Sequence, residues 1–171
     1  MKNLRYLEAL ASVSLMLSKY FLAISSIFGW WLSILGYILT AIFNLKINFK
    51  IVATTVAGLA VLSVYGLYKW SCQIPGLQLI DFIIISASGI FAIILIIREA
   101  KEKKQFWLLQ TITTITFSLA FISLGMKMEV GWYALLVGHI NNTYLYYRKK
   151  AYIIGVMQII SIIIVITKLV M

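Results

Sequence analysis

Long apolar runs alternate with short polar breaks along this chain, and the alternation predicts seven helices. Each run is about the ~20 residues that a spanning helix requires. The runs cover residues 4–23, 29–45, 51–70, 78–97, 106–125, 131–147 and 151–170. The breaks are of two kinds. Residues 25–28, 71–77 and 126–130 carry little charge, whereas 46–50, 98–105 and 148–150 are rich in Lys and Arg. Links this short force neighbouring helices to run antiparallel.

Within two of the runs the polar residues keep helical spacing. Trp30, Ser33, Tyr37, Thr40 and Asn44 follow one another at intervals of 3, 4, 3 and 4, which places them on one face. An offset of 102 residues sets Gly29 on Gly131, Trp30 on Trp132, Gly36 on Gly138 and Lys46 on Arg148. The same five positions are then Trp132, Leu135, His139, Asn142 and Tyr146. Glu8 falls on Gln110 and Ser12 on Thr114. The offset pairs the first run with the fifth, the second with the sixth and the third with the seventh, leaving the fourth alone. An odd central helix gives both triplets the same orientation, as in parallel repeats about an axis along the membrane normal. The division expected is 1–70 for the first repeat, 71–105 for a linker helix and charged loop, and 106–171 for the second repeat.

Composition turns the pattern into a class. Of 171 residues 63% are hydrophobic and 12% charged, and the mean hydropathy is +1.00. A soluble domain has no interior large enough for that apolar surface. The expected fold class is an all-α integral membrane protein. The net charge of +10 reads as a topology signal rather than a nucleic-acid patch. With the N-terminus inside, eleven of the fifteen Lys and Arg fall on the inner side. That bias predicts a cytoplasmic N-terminus, and the expected location is the inner (cytoplasmic) membrane.

Polar side chains in a bilayer cluster at interfaces or cavities, because burying them unpaired costs free energy. A single Ser or Thr reads as a contact between helices. His139, Asn142 and Gln110, with aromatics on the same faces, read as the wall of a cavity. Asn141 lies about 100° from Asn142 and is set aside. Trp30 and Trp132 fall at span ends, where an aromatic belt is the plain reading. Glu8 reads as an interfacial partner of Arg5, and Lys19 and Asp81 as side chains that snorkel to the surface. Neutral polar groups and aromatic rings suit a small ring or sugar better than a bare ion. Cys72 is the only cysteine and His139 the only histidine, so catalysis and metal binding have little support and no cofactor is expected.

The third run ends SVYGLYKW (Ser63–Trp70) and follows GWWLSILGYILTAIFNLK, and the sixth reads WYALLVGHINNTYLYYRKKAY. These stretches resemble the two halves of the PnuC family of bacterial vitamin B3 transporters, most specifically in Tyr65–Trp70. The three-plus-one-plus-three layout is shared with the SWEET sugar transporters. The resemblance implies facilitated diffusion of nicotinamide riboside, trapping by phosphorylation, and a homotrimer. Together, stripes and resemblance give the expected substrate-binding set: Trp30, Tyr37, Thr40, Asn44, Gln110, Thr114, Trp132, His139, Asn142 and Tyr146. A small-sugar facilitator and a non-transporting membrane scaffold are the other readings of the same pattern.

Overall fold

In the computed structural model, residues 2–73, 78–101, 107–148 and 150–171 are described. They form seven α-helices and no strand: α1 (Lys2–Ala23), α2 (Phe28–Lys46), α3 (Lys50–Ser71), α4 (Leu79–Lys101), α5 (Trp107–Gly125), α6 (Val130–Arg148) and α7 (Tyr152–Val170). Each expected run is a helix, displaced by a few residues at its ends. The largest difference is α4, which continues as helix through Arg98–Lys101, where a loop was expected. The loop around Pro75, residues 102–105, Phe106 and Lys149 lie outside the described residues.

Five helices, α2, α3, α4, α5 and α7, are long and apolar enough to cross a membrane on their own composition. The other two are equally long, but α1 carries Arg5, Glu8 and Lys19, and α6 carries His139, Asn141 and Asn142. Both pack within the same bundle, where Glu8, Lys19 and His139 are buried against protein rather than lipid.

The repeat is visible in backbone geometry. Subtracting the 102-residue offset lays α6 on α2 end to end, and the ends of α1 and α5 coincide. The turns are copies as well. Ser25 and Lys127 both have φ 58°, while Asn48 and Lys150 have φ 61° and 57°. In each turn the left-handed residue donates its N–H three residues back, and the next residue donates five back. The pairs are Ser25 to Leu22 with Ser26 to Phe21, and Lys127 to Leu124 with Met128 to Ser123. Asn48 to Leu45 with Phe49 to Asn44, and Lys150 to Tyr147 with Ala151 to Tyr146, repeat the arrangement. This is the Schellman closure of a helix, which satisfies carbonyls that the last turn would leave unpaired. Close approaches repeat too. A Cβ on Gly29 would stand 2.7 Å from the Leu22 side chain, and one on Gly131 2.7 Å from Leu124.

Helix contacts obey the same exchange. α1 packs on α2, α2 on α3, α5 on α6 and α6 on α7; the halves meet through α1–α7 and α3–α5. Exchanging α1 with α5, α2 with α6 and α3 with α7 maps this set onto itself. The result is a ring in the order α1, α2, α3, α5, α6, α7. The α2 and α6 helices stand on opposite sides, meeting only through side chains at the N-terminal face, and α4 lies outside, against α5 and α3. The end of the bundle bearing residue 2 is called here the N-terminal face, and the other end the C-terminal face.

The Tyr65–Trp70 stretch ties these parts together. Tyr65 donates to Asp81 Oδ1 at 2.7 Å, and Lys69 pairs with Asp81 Oδ2 at 2.9 Å, pinning α4 to α3. Gly66 lies under the Trp30 indole, which a Cβ there would strike. Trp70 Nε1 donates to the Leu124 carbonyl at 3.0 Å, joining the halves. Asp81 is fully buried, not reaching outward as expected, because its counter-charge is Lys69 in the neighbouring helix.

Candidate functional site

A cavity of about 50 Å³ lies at the centre of the ring, lined by all six ring helices and by no residue of α4. Seven expected residues are on its wall: Tyr37 and Thr40 of α2, Gln110 and Thr114 of α5, and His139, Asn142 and Tyr146 of α6. The other three, Trp30, Asn44 and Trp132, are not.

The lining follows the repeat almost position for position. On α3, Val52, Thr55, Val56 and Leu59 correspond by the same offset to Ile154, Met157, Gln158 and Ser161 on α7, and all eight line the cavity. Tyr37 corresponds to His139, Thr40 to Asn142, Ser12 to Thr114 and Leu15 to Phe117, again all on the wall. The pseudo-two-fold axis therefore runs through the cavity. Its chemistry is unequal on the two sides. Opposite the amide of Gln158 is Val56, and opposite the imidazole of His139 is a phenol.

Several polar atoms here have no protein partner. Ser12 Oγ, Thr113 Oγ1 and His139 Nε2 are buried without a hydrogen bond, and all three residues line the cavity. Buried polar groups in folded proteins are normally paired, so a cluster of exceptions around one space marks a place for water or ligand. The other face of His139 is fixed: Nδ1 and Gln158 Oε1 are hydrogen-bonded. With the amide oxygen toward the ring, Nδ1–H donates and Nε2 offers a lone pair to the cavity. Phe117 meets the same imidazole edge-on at 5.1 Å. The threonines are satisfied locally: Thr40 donates to the Gly36 carbonyl at 2.7 Å and Thr114 to that of Gln110 at 2.9 Å. Their oxygens keep acceptor capacity toward the cavity.

Toward the C-terminal face, aromatic rings close the space. Tyr37 meets Phe121 edge-on at 5.2 Å, Phe121 meets Trp30 at 5.7 Å, and Trp30 meets Trp70 at 5.8 Å. This explains why Trp30 misses the cavity wall: it is wholly buried in the layer above. Beyond that layer is a second hollow of about 280 Å³ that includes Trp70, Trp132, Lys127 and Lys168. Trp132, the repeat partner of Trp30, borders that hollow instead. Toward the N-terminal face, Tyr146 packs with Phe43 and Ile154. Asn44 is buried there beside the Tyr146 hydroxyl, its Nδ2 donating to the Thr40 carbonyl at 2.8 Å. Glu8, expected to meet Arg5 at the surface, is buried near the backbone of Ile154.

Among the wall residues not read in the sequence as site residues are Lys19, Thr113, Phe117 and Gln158. The signal for Gln158 was present, since it is the one amide in the seventh run. Lys19 is 1% exposed and faces the cavity rather than the surface. It sits near the C-terminal end of α1, and helical side chains tilt back toward the N-terminus, which here points into the membrane.

A chain this apolar, folded as a six-helix ring around a buried polar chamber, is an integral membrane protein with room for a polar guest at its core. A family model described as "Nicotinamide mononucleotide transporter" matches residues 5–171, and the chain belongs to that family. No curated protein and no solved structure matches it.

Proposed function

We propose that this protein carries nicotinamide riboside, or a similar ring-plus-sugar vitamin precursor, across the cytoplasmic membrane by facilitated diffusion. One observation carries the reading. The chamber to which both halves contribute equivalent positions from all three of their helices is also where unpartnered polar atoms collect beside aromatic rings. Tyr37 and Phe117 offer ring faces and edges to a planar heterocycle. His139 Nε2, Asn142, Ser12 and Thr113 offer hydrogen bonds to a carboxamide and to ribose hydroxyls. Family membership supports a nicotinamide compound as cargo.

At about 50 Å³ the chamber holds only a few waters, whereas small-molecule pockets span ~300–1,000 Å³. The structure therefore corresponds to a contracted state, with aromatic rings above and the Tyr146 cluster below. Loading requires the α1–α7 and α3–α5 seams to part. Those are the contacts between the halves, so rocking one triplet against the other opens the chamber without unfolding either. In this reading residues 1–70 and 106–171 are the moving units and 71–105 the linker. The N-terminal face is cytoplasmic, and α4 is placed outside the ring to meet neighbouring copies of a homotrimer.

The test is uptake of labelled nicotinamide riboside by cells lacking their own transporter. His139→Leu and Asn142→Leu are expected to lower uptake at least ~10-fold at equal expression, because each removes a hydrogen bond inside a dry site. Unchanged uptake in both variants would sink the site assignment. Saturable thermal stabilisation by small sugars but by no pyridine riboside would favour the sugar facilitator, and no stabilisation by either would favour a scaffold.

A further inference from the structure

Asp81 fastens one end of α4 to α3, at the C-terminal face. Beyond that fastening, toward the N-terminal face, a cleft of about 340 Å³ lies between α4, α3 and α5. Its walls are mostly apolar, with Val61 and Leu62 of α3 and Ile84, Ala87 and Phe91 of α4 among them. Gly58 makes part of the space: a Cβ there would stand 2.8 Å from the Phe91 ring. Val61 and Ala87 are exposed, so the cleft opens sideways, toward lipid rather than water. The bordering stretches of α3 and α4 are each about 10 Å of helix, a span that suits a length of hydrocarbon chain. An unfilled apolar hollow forfeits dispersion contacts, and lipid tails are as apolar as the side chains around it. Cations lie where the headgroup of such a lipid would be. Ile84, Phe91 and Arg98 recur every seven residues, so Arg98 is on the cleft side of α4, about 10 Å beyond Phe91. Lys50 opens α3 on the same side as Val61, and Lys101 closes α4; all three cations are exposed. In residues 98–105 Lys and Arg outnumber Glu four to two. At the opposite end α3 and α4 have only Lys69, which Asp81 already holds.

We propose that an anionic phospholipid from the leaflet at the N-terminal face occupies this cleft, with its headgroup among Lys50, Arg98 and Lys101 and one acyl chain between α4 and α3. The charge of the three cations selects the headgroup, and the depth and polarity of the cleft select the chain. Phe82, Ile90 and Ile93 lie on another side of α4, so a neighbouring copy packed there does not compete with the lipid. The site also touches the ring. Thr55 and Thr114 border both the cleft and the central chamber, so the chain lies against the α3–α5 seam. A lipid bound to the contracted state stabilises that state and slows loading of the chamber. This consequence rests on the transport reading above; the lipid site does not.

The probe is dioleoyl phosphatidylglycerol; dioleoyl phosphatidylcholine controls for charge and dihexanoyl phosphatidylglycerol for chain length. Delipidated protein in detergent is titrated with each, and bound lipid is counted by native mass spectrometry. The long-chain anionic lipid is expected to bind saturably, at least ~10-fold more tightly than either control. Ala87→Phe, which fills the cleft from its rim, should abolish that preference. Lys50→Gln with Arg98→Gln should abolish it too, and because both positions are exposed this pair decides the matter if Ala87→Phe does not fold. Ile93→Phe, on another side of α4, should leave it unchanged. Equal binding of either control lipid, or full binding by the Lys50→Gln, Arg98→Gln pair or by folded Ala87→Phe, overturns the proposal. Absence of saturable binding does so as well, and if Ala87→Phe then disperses an oligomer, the cleft seats a second copy of the chain. Uptake of nicotinamide riboside into phosphatidylcholine vesicles with and without phosphatidylglycerol tests the effect on the seam. The anionic lipid should slow the wild type at least ~2-fold relative to Ala87→Phe in the same membranes. An equal response of the two proteins overturns the effect on the seam. No uptake in any vesicle counts against the transport reading alone, and the binding result then decides the lipid site.

Discussion

Four turn residues show how single positions shape this molecule. Ser25, Asn48, Lys127 and Lys150 all sit in the left-handed region that glycine occupies without cost. Asn tolerates it, but Ser and Lys hold their Cβ against the following carbonyl, at about 1–2 kcal/mol each. Ser25→Gly is therefore expected to stabilise the protein by about 1 kcal/mol, read as a higher melting temperature in detergent. The matching change at Lys127 should gain less, because Lys127 Nζ also lies 5.6 Å from the Trp70 ring. A lower melting temperature for Ser25→Gly would show that the turn is held by something other than its hydrogen bonds. Residue identity was legible in the sequence at such places, but backbone conformation was not: nothing in "SSIF" or "KMEV" announces a positive φ. The offset that aligned the glycines aligned these turns as well, so the repeat carried information the local residues lacked.

Helix α4 has the least support in the molecule. It lies outside the ring, and Phe82, Ile83, Ile90, Ile93 and Ile94 are exposed on it. Its attachment depends on Asp81, which takes Tyr65 and Lys69 from α3 and the backbone N–H of Gln78 at 2.7 Å. Asp81→Ala removes the counter-charge of a buried ammonium and is expected to cost about 3–5 kcal/mol. Replacing Lys69 and Asp81 together by Leu should recover most of that loss, since a buried pair and a well-packed apolar pair are often near-equal in stability. Chemical denaturation of both variants checks it, and a wild-type midpoint for Asp81→Ala would refute it. The sequence showed Tyr65–Trp70 as the most specific stretch in the chain. It did not show that the stretch is a fastening: Gly66 accommodates Trp30, Trp70 reaches Leu124, and none of the six residues borders the central cavity.

At the scale of the whole molecule, orientation and symmetry govern function. The sole cysteine, Cys72, is exposed at the C-terminal face, which the topology proposed above puts outside the cell. A membrane-impermeant maleimide should label Cys72 in intact cells; labelling only after the membrane is opened would invert the topology. The unequal chemistry on the two sides of the pseudo-two-fold axis has its own consequence. Lys19 is matched by Phe121 and Gln158 by Val56, so the two halves of the chamber wall are not interchangeable. The two repeats share a backbone arrangement, and it is the side chains around the chamber that differ.

What the sequence determined by itself was everything that depends on order along the chain. Apolar lengths set seven helices, short links set their antiparallel succession, and the recurrence of Gly29 and Gly36 at Gly131 and Gly138 set the repeat. Helical spacing also put His139, Asn142 and Tyr146 on one face, and the structure turns that face to the chamber. Only the tertiary structure decided which groups at the chamber meet. Spacing fixes angles around one helix but not what stands opposite: Gln158 reaches His139 because α7 packs on α6, and Trp30 leaves the wall because Phe121 and Gly66 receive it. Lys19 shows the limit most plainly. A lysine near a span end reads as one that snorkels, yet the tilt of its Cβ along α1 and the rings of Tyr37 and Phe121 draw it inward, to the chamber wall.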